Sequence, residues 1–353
     1  MKQLRVGILG QGRSGRDIHA IYLATDPRYK IVVIADPLKD RCQRARQEWG
    51  CEAVTDYRQV LKRQDLDIIV NASPSMLHVP ITKEILKAGH NVLVEKPFAR
   101  RVKDADALIA LAKKQRRLLA IFQQSYFAPT FRKAREVIRS GVLGRIVMIK
   151  IAANGFARRW DWQTLQSFDG GNLLNTGPHP VGQVLDLFDP KLSMPKIWCQ
   201  FDRVNTFGDA EDHVKAVFTG KGKPTIDLEI SSCCAFPVYG MQVYGSRGGL
   251  TNSGNHVEWK YFDPKSAPRQ KLIRTPLPGP SYCRETVPWV QESWDVPEDI
   301  AKDVFAYMSK VFYGNLYDVL VNKGKLAVTP PMARRLVAVM EECHRQNPLS
   351  RKK

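Results

Sequence analysis

The chain has 353 residues, 44% hydrophobic and 25% charged, which is typical of a globular protein and excludes a disordered or fibrous one. This length exceeds what one ordinary core accommodates and predicts two domains. No apolar run is long enough to cross a membrane, and the start MKQLRVGILG has no signal-peptide pattern, so we expect a cytoplasmic protein. Seven cysteines without CxxC or ligand spacing predict reduced thiols and no metal site.

The formal net charge of +19 raises the question of a nucleic-acid partner. The basic residues are dispersed over helical patterns such as KDRCQRARQEWG and FRKAREVIRS. They form neither a basic arm nor a ladder interleaved with aromatic residues. We therefore favour solvated helix surfaces over nucleic-acid binding.

Residues 1–122 alternate short apolar runs with amphipathic segments. Helical patterns cover 14–24, 39–49, 78–89 and 102–115. The runs between them are apolar on both faces, as in parallel strands covered by helices, so this part predicts a doubly wound α/β domain of the Rossmann type. The strand patterns are LRVGILG, KIVVIAD, DIIVNAS, NVLVEKP and LLAIF.

Residues 123–353 follow a different rhythm, which predicts an α+β domain with a large, mostly antiparallel open sheet. A helix at 129–140 ends at Gly141, and a helix near 172–188 is expected to cover one face of the sheet. We expect a long loop over 263–290 and closing helices at 298–322 and 330–346, which can pack back on the first domain. The strand patterns, separated by turn signals such as GKGKP and GSRGG, are RIVMIKIAANG, PKIWCQFDRV, HVKAVFTG, TIDLEISSCCAF, YGMQVYGS and VEWKYF.

A G-x-G-x-x-G motif follows the first strand directly and opens a helix. The first glycine permits a tight turn, the second lets a pyrophosphate approach the backbone, and the third lets helix and strand pack closely. The free N–H groups of the helix start then suit the phosphates of a dinucleotide. The predicted binding loop consists of Gly10, Gln11, Gly12, Arg13, Ser14 and Gly15.

Asp36 ends the second strand about twenty residues after the glycines, where an acid binds the hydroxyls of the adenosine ribose. A carboxylate at this place repels a 2′-phosphate, which favours NAD(H) over NADP(H). Arg41 lies nearby and keeps NADP open as the alternative.

The fourth and fifth strands run into NASPSMLH and VLVEKPF, at the edge where parallel sheets bind ligands. A lysine in EKP can hydrogen-bond a substrate hydroxyl and favour its alkoxide, the alternative being an ordinary surface lysine. The residues predicted to line the cofactor site here are Ser73, Pro74, His78, Glu95, Lys96, Pro97 and, after the next strand, Gln124.

Residues 170–182 read GGNLLNTGPHPVG and combine a tight backbone with one titratable side chain, His179. A histidine that moves protons usually has a carboxylate to orient it, but the nearest polar residue upstream is an amide, Asn175. The alternatives are a histidine satisfied locally at a helix start and an asparagine that only caps.

The loop ahead of this segment contains Arg158, Trp160 and Trp162, and we expect it to line a substrate pocket. Tryptophan faces stack on sugar C–H surfaces, and arginines bind hydroxyls or carboxylates. In the alternative, one tryptophan belongs to the core and the arginines are solvated.

The glycine motif at 10–15, EKP at 95–97 and the glycine–histidine segment at 170–182 resemble, in order and spacing, those of the Gfo/Idh/MocA oxidoreductases. This group includes glucose–fructose oxidoreductase and inositol dehydrogenase, and the resemblance covers essentially the whole chain. It implies that Lys96 binds the reacting hydroxyl near the nicotinamide and that His179 accepts its proton.

The chain departs from the family pattern at three places. The family's third motif resembles GG-x-L-x-D-x-G-x-H-x-x-D, and its two aspartate positions hold Asn175 and Gly182. Many members have an arginine where this chain has Tyr126, a further candidate for substrate binding. These departures concern substrate class and catalytic detail, and not the fold.

These observations predict an NAD(H)-dependent oxidoreductase that interconverts a secondary hydroxyl and a ketone on a sugar, glycoside or cyclitol. Lys96 would polarise the oxygen, His179 would serve as acid and base, and Asn175 would orient one of them. Two alternatives stay open: a redox-neutral elimination or glycoside cleavage that uses bound NAD, and a non-catalytic dinucleotide-binding regulator. We expect a homodimer or homotetramer formed through the C-terminal sheet.

Overall fold

The computed structural model describes residues 2–277, 279 and 282–350. Its first sheet has six strands in the order β3-β2-β1-β4-β5-β6, and every neighbouring pair is parallel. This order reverses between β1 and β4, which opens a crevice at the carboxyl ends of these strands. The predicted doubly wound sheet is confirmed. The strands are β1 (Leu4–Leu9), β2 (Tyr29–Ala35), β3 (Glu52–Val54), β4 (Ile68–Asn71), β5 (Val92–Val94) and β6 (Leu119–Ile121).

Helices connect these strands, as the crossovers of a parallel sheet require. The predicted helix at 14–24 begins as a π-helix, Ser14–Ala20, before it continues as α1. The sequence did not predict β3 or α3, because elements of three and five residues are too short to show a period. The α-helices are α1 (Ile21–Thr25), α2 (Lys39–Trp49), α3 (Tyr57–Leu61), α4 (His78–Lys87), α5 (Val102–Gln115) and α6 (Pro129–Ser140).

The second sheet has eight strands in the order β14-β13-β12-β11-β7-β10-β9-β8. All its pairs are antiparallel except β7 with β10, so the mostly antiparallel open sheet is confirmed. The strands are β7 (Ile146–Asn154), β8 (Lys196–Asp202), β9 (His213–Thr219), β10 (Thr225–Ser231), β11 (Met241–Gly245), β12 (Gly248–Ser253), β13 (His256–Tyr261) and β14 (Val290–Asp295).

Two strands of this sheet differ from the sequence prediction. Strand β12 begins inside GSRGG, which we interpreted as a turn, because the turn itself takes only two residues. The edge strand β14 has almost only exposed side chains and therefore lacks the alternation that marks a half-buried strand. The described residues between β13 and β14 form no helix or strand, in agreement with the predicted loop.

The predicted helices at 172–188 and 298–322 are each divided in two. Gly177 separates the first pair, and a Cβ there would collide with the carbonyl oxygen of Leu173. In the second, Asp303 accepts a hydrogen bond from the N–H of Ala306 (2.8 Å) and so caps a new helix. These helices are α7 (Asn172–Asn175), α8 (Pro178–Phe188), α9 (Glu298–Ala301), α10 (Val304–Val321) and α11 (Pro330–Gln346).

The C-terminal helices bring the two sheets together. Phe312, Tyr313 and Leu316 of α10 are buried in one apolar cluster with the core of the first sheet. Helix α11 packs on α5, α8 and β8, and α8 covers β7 and β10. The domain boundary at residues 122 and 123 stays a prediction. Within the described residues, no helix combines the length and apolar character that a membrane span needs.

Candidate functional site

The glycine loop after β1 has the shape that a bound pyrophosphate requires. Gly10 adopts a φ of 98°, and a Cβ there would collide with the carbonyl oxygen of Ala72. A Cβ on Gly15 would collide with the carbonyl oxygen of Gly10. By contrast, a Cβ on Gly12 would have no atom closer than Arg41 Nη1 at 3.6 Å. The first and third glycines therefore close the turn, while the second leaves open space over the backbone.

The residues around this loop leave polar atoms for a ligand. Asp36 accepts hydrogen bonds from the N–H groups of Gln11 (2.7 Å) and Leu38 (3.0 Å), and Arg41 Nη1 lies 3.3 Å from its Oδ2. Both polar side-chain atoms of Gln11 are buried without a hydrogen-bond partner among the described residues. Such atoms are costly unless a ligand or water satisfies them. These features fit a dinucleotide, and the guanidinium of Arg41 beside Asp36 keeps the NADP alternative open.

His78 joins the loops that follow β4 and β5. Its Nδ1 lies 2.8 Å from the carbonyl oxygen of Pro97, and its Nε2 lies 2.8 Å from that of Ser73. Burial lowers the pKa of His78, and a neutral imidazole can donate to only one of these carbonyls. Both ring nitrogens thus face protein oxygens, so this side chain links the loops and has no nitrogen left for a cofactor. Ser73 Oγ in turn donates to Asn71 Oδ1 (2.7 Å).

A buried chain of polar groups supports the EKP segment from beneath. Glu95 Oε2 accepts a hydrogen bond from the N–H of Lys96 (3.0 Å), and Oε1 lies 3.1 Å from His19 Nε2. His19 Nδ1 lies 2.7 Å from the hydroxyl of Tyr313, on α10. Burial alone would raise the pKa of Glu95, but the hydrogen bond with His19 and the nearby positive charge lower it to about 2.

Sequence reasoning missed His19 and Tyr313. A histidine four residues after Gly15, on the buried side of the first helix, was a visible signal. Tyr313 had no local signal, because its neighbour in space is almost three hundred residues away.

Lys96 reaches from the first sheet to the glycine–histidine segment. Its Nζ donates a hydrogen bond to the main-chain oxygen of Asn175 (2.7 Å). Burial lowers the pKa of Lys96, and the positive charges of Arg13 and Arg159 add to this effect, while Glu95 opposes it. The side chain is half-buried and bound, so the alternative of an ordinary surface lysine does not hold.

The glycines of the segment fold it tightly against its neighbours. A Cβ on Gly170 would collide with the carbonyl oxygen of Gln163, and one on Gly171 with the carboxylate of Glu211. Glu211 accepts a hydrogen bond from the N–H of Leu173 (2.9 Å), and burial raises the pKa of Glu211 to about 7. Sequence reasoning missed this acid, because nothing in GDAED indicates that its three carboxylates are all buried or that Glu211 is the one beside the glycines.

The side chain of Asn175 is hydrogen-bonded to the main chain of the preceding loop. Its Nδ2 donates to the main-chain oxygen of Gln163 (2.9 Å), and no hydrogen bond joins its amide to Lys96 or His179. A carboxylate in this rotamer would face the Gln163 oxygen and be repelled by it. The local geometry therefore explains an amide at this position.

His179 lies on the first turn of α8 and is half-buried. Its Nδ1 is buried without a hydrogen-bond partner among the described residues, so no carboxylate or carbonyl selects its tautomer. Burial and the charge of Lys96 lower the pKa of His179 to about 3. The imidazole is therefore neutral at pH 7.

Two of the three residues at which the chain departs from the family pattern, Tyr126 and Gly182, lie against each other. A Cβ on Gly182 would lie 3.0 Å from Cε2 of Tyr126 and 3.2 Å from Nε2 of Gln123. The ring of Tyr126 thus occupies the space that a side chain at 182 would need. Tyr126 is buried, and with Lys96 it lines a cavity of about 10 Å³. Gln124, two residues before Tyr126, is buried with its Oε1 unpartnered among the described residues.

The loop before the segment presents its aromatic residues to solvent. Trp160 is 79% exposed and Trp162 is 40% exposed, so the alternative with a tryptophan in the core is wrong. The guanidinium of Arg158 lies over the ring of Phe207, 5.3 Å from its centroid. Arg159 forms an ion pair with Asp161 (2.8 Å).

Comparisons with known proteins agree with this architecture. The family model of the Gfo/Idh/MocA oxidoreductases, described as an NAD-binding Rossmann fold, matches residues 4–123. The model of the GFO/IDH/MocA C-terminal domain matches residues 131–251.

Two curated relatives are similar in sequence. The Escherichia coli protein named uncharacterized oxidoreductase YdgJ is 27% identical over 254 residues, 71% of each chain. A dTDP-3,4-didehydro-2,6-dideoxy-alpha-D-glucose 3-reductase of Streptomyces violaceoruber is 27% identical over 182 residues, 51% of this chain and 53% of its own.

The WlbA dehydrogenase of Bordetella pertussis, solved with NADH and UDP-GlcNAcA, has a similar fold. The TM-score is 0.78 with 20% identity, over 98% of this chain and 95% of that chain. At this identity the likeness concerns the fold alone.

Proposed function

The chain belongs to the Gfo/Idh/MocA oxidoreductase family, with its NAD-binding Rossmann fold, and on that premise we propose that it oxidises and reduces a ring carbon of a sugar, glycoside or cyclitol. The reaction interconverts a secondary hydroxyl and a ketone. One observation carries the proposal. The Nζ of Lys96, which follows a strand of the first sheet, donates a hydrogen bond to the main-chain oxygen of Asn175, four residues before His179. The charge of Lys96 also lowers the pKa of His179, which supports a common role for these two titratable groups of the sequence motifs.

The glycine loop and Asp36 would hold the pyrophosphate and the adenosine ribose, and Ser73, Pro74 and Gln124 the nicotinamide side. When bound, the cofactor supplies an acceptor for the hydride that leaves the carbon. The carboxylate of Asp36 favours NAD over NADP, although Arg41 lies beside it.

Lys96 would bind the reacting oxygen by exchanging its hydrogen bond to Asn175 for one to the substrate. Its ammonium would then stabilise the negative charge that develops as the hydroxyl loses its proton, and such charge stabilisation is strong in a site with little water. Because the charges of Arg13 and Arg159 act on the same cleft, anionic oxygen is further favoured there.

His179 would take the proton from the hydroxyl in oxidation and return it in reduction. A general base must be deprotonated before the step, and the lowered pKa of His179 keeps it so at neutral pH. Asn175 acts through its main-chain oxygen, which holds Lys96 in the resting site.

The test mixes the protein and NAD⁺ with a panel of sugars, glycosides and cyclitols and follows the absorbance band of the reduced cofactor. We expect reduction with at least one polyol, and its loss in Lys96→Ala without loss of NAD binding. The matched control is Lys103→Ala, an exposed lysine on α5. No turnover in either direction would contradict the proposal, and cofactor that cycles without net reduction would indicate the redox-neutral alternative.

We also propose that copies of the chain associate through the open face of the second sheet, as a homodimer or homotetramer, in the cytoplasm. Trp198 and Tyr244 on that face are about half exposed, and a cavity of about 260 Å³ lies between β11, β12 and β13. Sedimentation of the purified protein tests this proposal, and a monomer at micromolar concentration would contradict it.

A further inference from the structure

The carbonyl group that binds Lys96 belongs to a helix too short to fix its own position. Helix α7 has four residues, Asn172–Asn175, and Asn175 is the last of them. A single helical turn is unstable in water, because closing it orders several residues for very few hydrogen bonds. The position of the Asn175 carbonyl therefore depends on the groups that contact α7 from outside.

Glu211, which precedes strand β9, binds the first two N–H groups of this helix. The N–H of Asn172 donates to the main-chain oxygen of Glu211 (2.9 Å), and the N–H of Leu173 donates to its carboxylate oxygen Oε1 (2.9 Å). N–H groups in the first turn of a helix have no partner within the helix, so their partners must come from elsewhere. Glu211 supplies two of these partners, one from its main chain and one from its side chain.

The carboxylate of Glu211 also lies against the residue that precedes α7. Gly171 adopts a φ of 103°, and a Cβ on it would collide with both carboxylate oxygens. The N–H of Gly171 donates to the main-chain oxygen of Gln163 (2.9 Å), which also accepts from Nδ2 of Asn175 (2.9 Å). The start of the helix is therefore held between Glu211 and Gln163.

From this start, main-chain hydrogen bonds lead to the two residues of the proposed reaction. The N–H of Asn175 donates to the main-chain oxygen of Gly171 (2.9 Å), and the carbonyl of Asn175 accepts from Nζ of Lys96 (2.7 Å). The N–H of His179 donates to the main-chain oxygen of Thr176 (3.1 Å), the residue that follows α7. A displacement of α7 would therefore move the partner of Lys96 and the backbone at His179 together.

A carboxyl group at this buried place is destabilising unless its contacts compensate for it. Glu211 is 2% exposed, and burial raises its pKa to about 7, although the N–H of Leu173 opposes this effect. Buried titratable groups of this kind concentrate at functional sites. The contacts of Glu211 with Gly171 and Leu173 indicate what the group does here, since both lie at the start of α7.

We propose that Glu211 is a positioning residue, which fixes α7 and thereby places the Asn175 carbonyl on Nζ of Lys96 and sets the backbone at His179. This inference rests on the proposed function, which assigns the chemistry to Lys96 and His179. The role requires an acceptor oxygen for the N–H of Leu173 and not a negative charge. An amide of the same length should therefore preserve it.

The first experiment measures the environment of Lys96 and needs no substrate. The full chain is treated with a trace of acetic anhydride at mildly alkaline pH, and mass spectrometry compares the acetylation of Lys96 with that of Lys103, an exposed lysine on α5. In Glu211→Ala we expect Lys96 to react about fivefold faster relative to Lys103, the effect of one lost hydrogen bond to Asn175. Glu211→Gln keeps an acceptor oxygen for Leu173 and should react like the parent.

The second experiment separates positioning from a general loss of stability. Val257→Ala empties buried space on β13, which is far from β9 in the order of the same sheet, and it should leave the acetylation of Lys96 unchanged. With a polyol that reduces NAD⁺, we expect kcat of Glu211→Ala to fall at least about tenfold without loss of NAD⁺ affinity, because Lys96 is misplaced. Glu211→Gln should restore kcat.

Three results would overturn the proposal. They are acetylation of Lys96 at the parent's rate in Glu211→Ala, an equal increase in Val257→Ala, and a Glu211→Gln variant that behaves like Glu211→Ala. If Glu211→Ala does not fold, Glu211→Asp replaces it, because its shorter side chain draws the carboxylate away from Leu173. The same increase in acetylation is then expected.

The failure of this proposal and the failure of the proposed function look different. Faster acetylation of Lys96 in Glu211→Ala, with no polyol that reduces NAD⁺, counts against the oxidoreductase activity alone. Turnover by the parent that is unchanged in Glu211→Ala counts against the positioning role alone.

Discussion

The ring of Tyr126 lies against Gly182, so closely that a Cβ at Gly182 would come within 3.0 Å of the ring. These residues stand at two positions where the chain departs from its family's motifs, one an uncharged ring, the other without a side chain. The ring of Tyr126 therefore occupies the space that a side chain at position 182 would need. Together the two departures remove two charged groups and place an aromatic ring beside Lys96.

Gly182→Asp is expected to destabilise the protein by about 2–4 kcal/mol, because it overfills the space of Tyr126 and buries a carboxylate. The double variant with Tyr126→Arg should recover part of the loss, since the ring leaves and a cation arrives. Urea unfolding of the two single variants and the double variant measures the coupling. Additive effects would show that the two positions are independent.

Asn175→Asp is expected to cost about 1–3 kcal/mol of unfolding free energy, because a carboxylate replaces the N–H that binds the main-chain oxygen of Gln163. Thermal unfolding above pH 6 measures the loss. The control is Asn255→Asp, at an exposed residue in a turn. Asn172→Asp would not serve as a control, because the amide of Asn172 also donates to a carbonyl oxygen. If the Asn175→Asp variant is as stable as the parent, the side chain at this position rotates away from Gln163.

Much of the fold could be predicted from the sequence, because its signals are local. The glycine motif, the apolar strands and the EKP segment can each be recognised from residues that are neighbours in the sequence. The support beneath Lys96 could not be predicted, since it depends on the contact of His19 with Tyr313 on a helix near the other end. The hydrogen bond of the Asn175 side chain could not be predicted either, because its partner is a main-chain carbonyl group, which every residue carries.

Tyr313→Phe tests this long-range support. It removes the hydroxyl that meets His19 Nδ1 and leaves a buried nitrogen unpartnered, which should cost about 1–3 kcal/mol. Glu95 lies within hydrogen-bond distance of His19 and accepts a hydrogen bond from the N–H of Lys96. A displaced His19 should therefore disturb Lys96, so turnover should fall more than cofactor affinity. Tyr307→Phe, on the same helix and with an exposed hydroxyl contact, is the control. A variant with unchanged stability and turnover would show that the contacts from Tyr313 through His19 to Glu95 do not support Lys96.

Glu211→Gln is expected to change how stability depends on pH. The folded-state pKa of Glu211 is raised to about 7, so between its ordinary pKa and pH 7 the folded chain holds a proton that the unfolded chain releases. Stability therefore falls as the pH rises through this window.

Glutamine carries no such proton, so the variant should gain roughly 2–4 kcal/mol relative to the parent between pH 5 and pH 8. Denaturant unfolding at the two pH values measures the difference, with Glu298→Gln, an exposed residue on α9, as the control. A difference that does not vary with pH would mean that Glu211 is ionised throughout.

The joint action of Lys96 and His179 is tested most directly by the transfer of deuterium from ring-deuterated polyols and glycosides to NAD⁺, read from the mass of the reduced cofactor. We expect transfer by the parent protein and a loss of at least about 100-fold in Lys96→Met and in His179→Asn, with NAD⁺ affinity nearly unchanged. Transfer that survives both substitutions, or no transfer from any member of the panel, would contradict the claim that Lys96 and His179 act together on one hydroxyl.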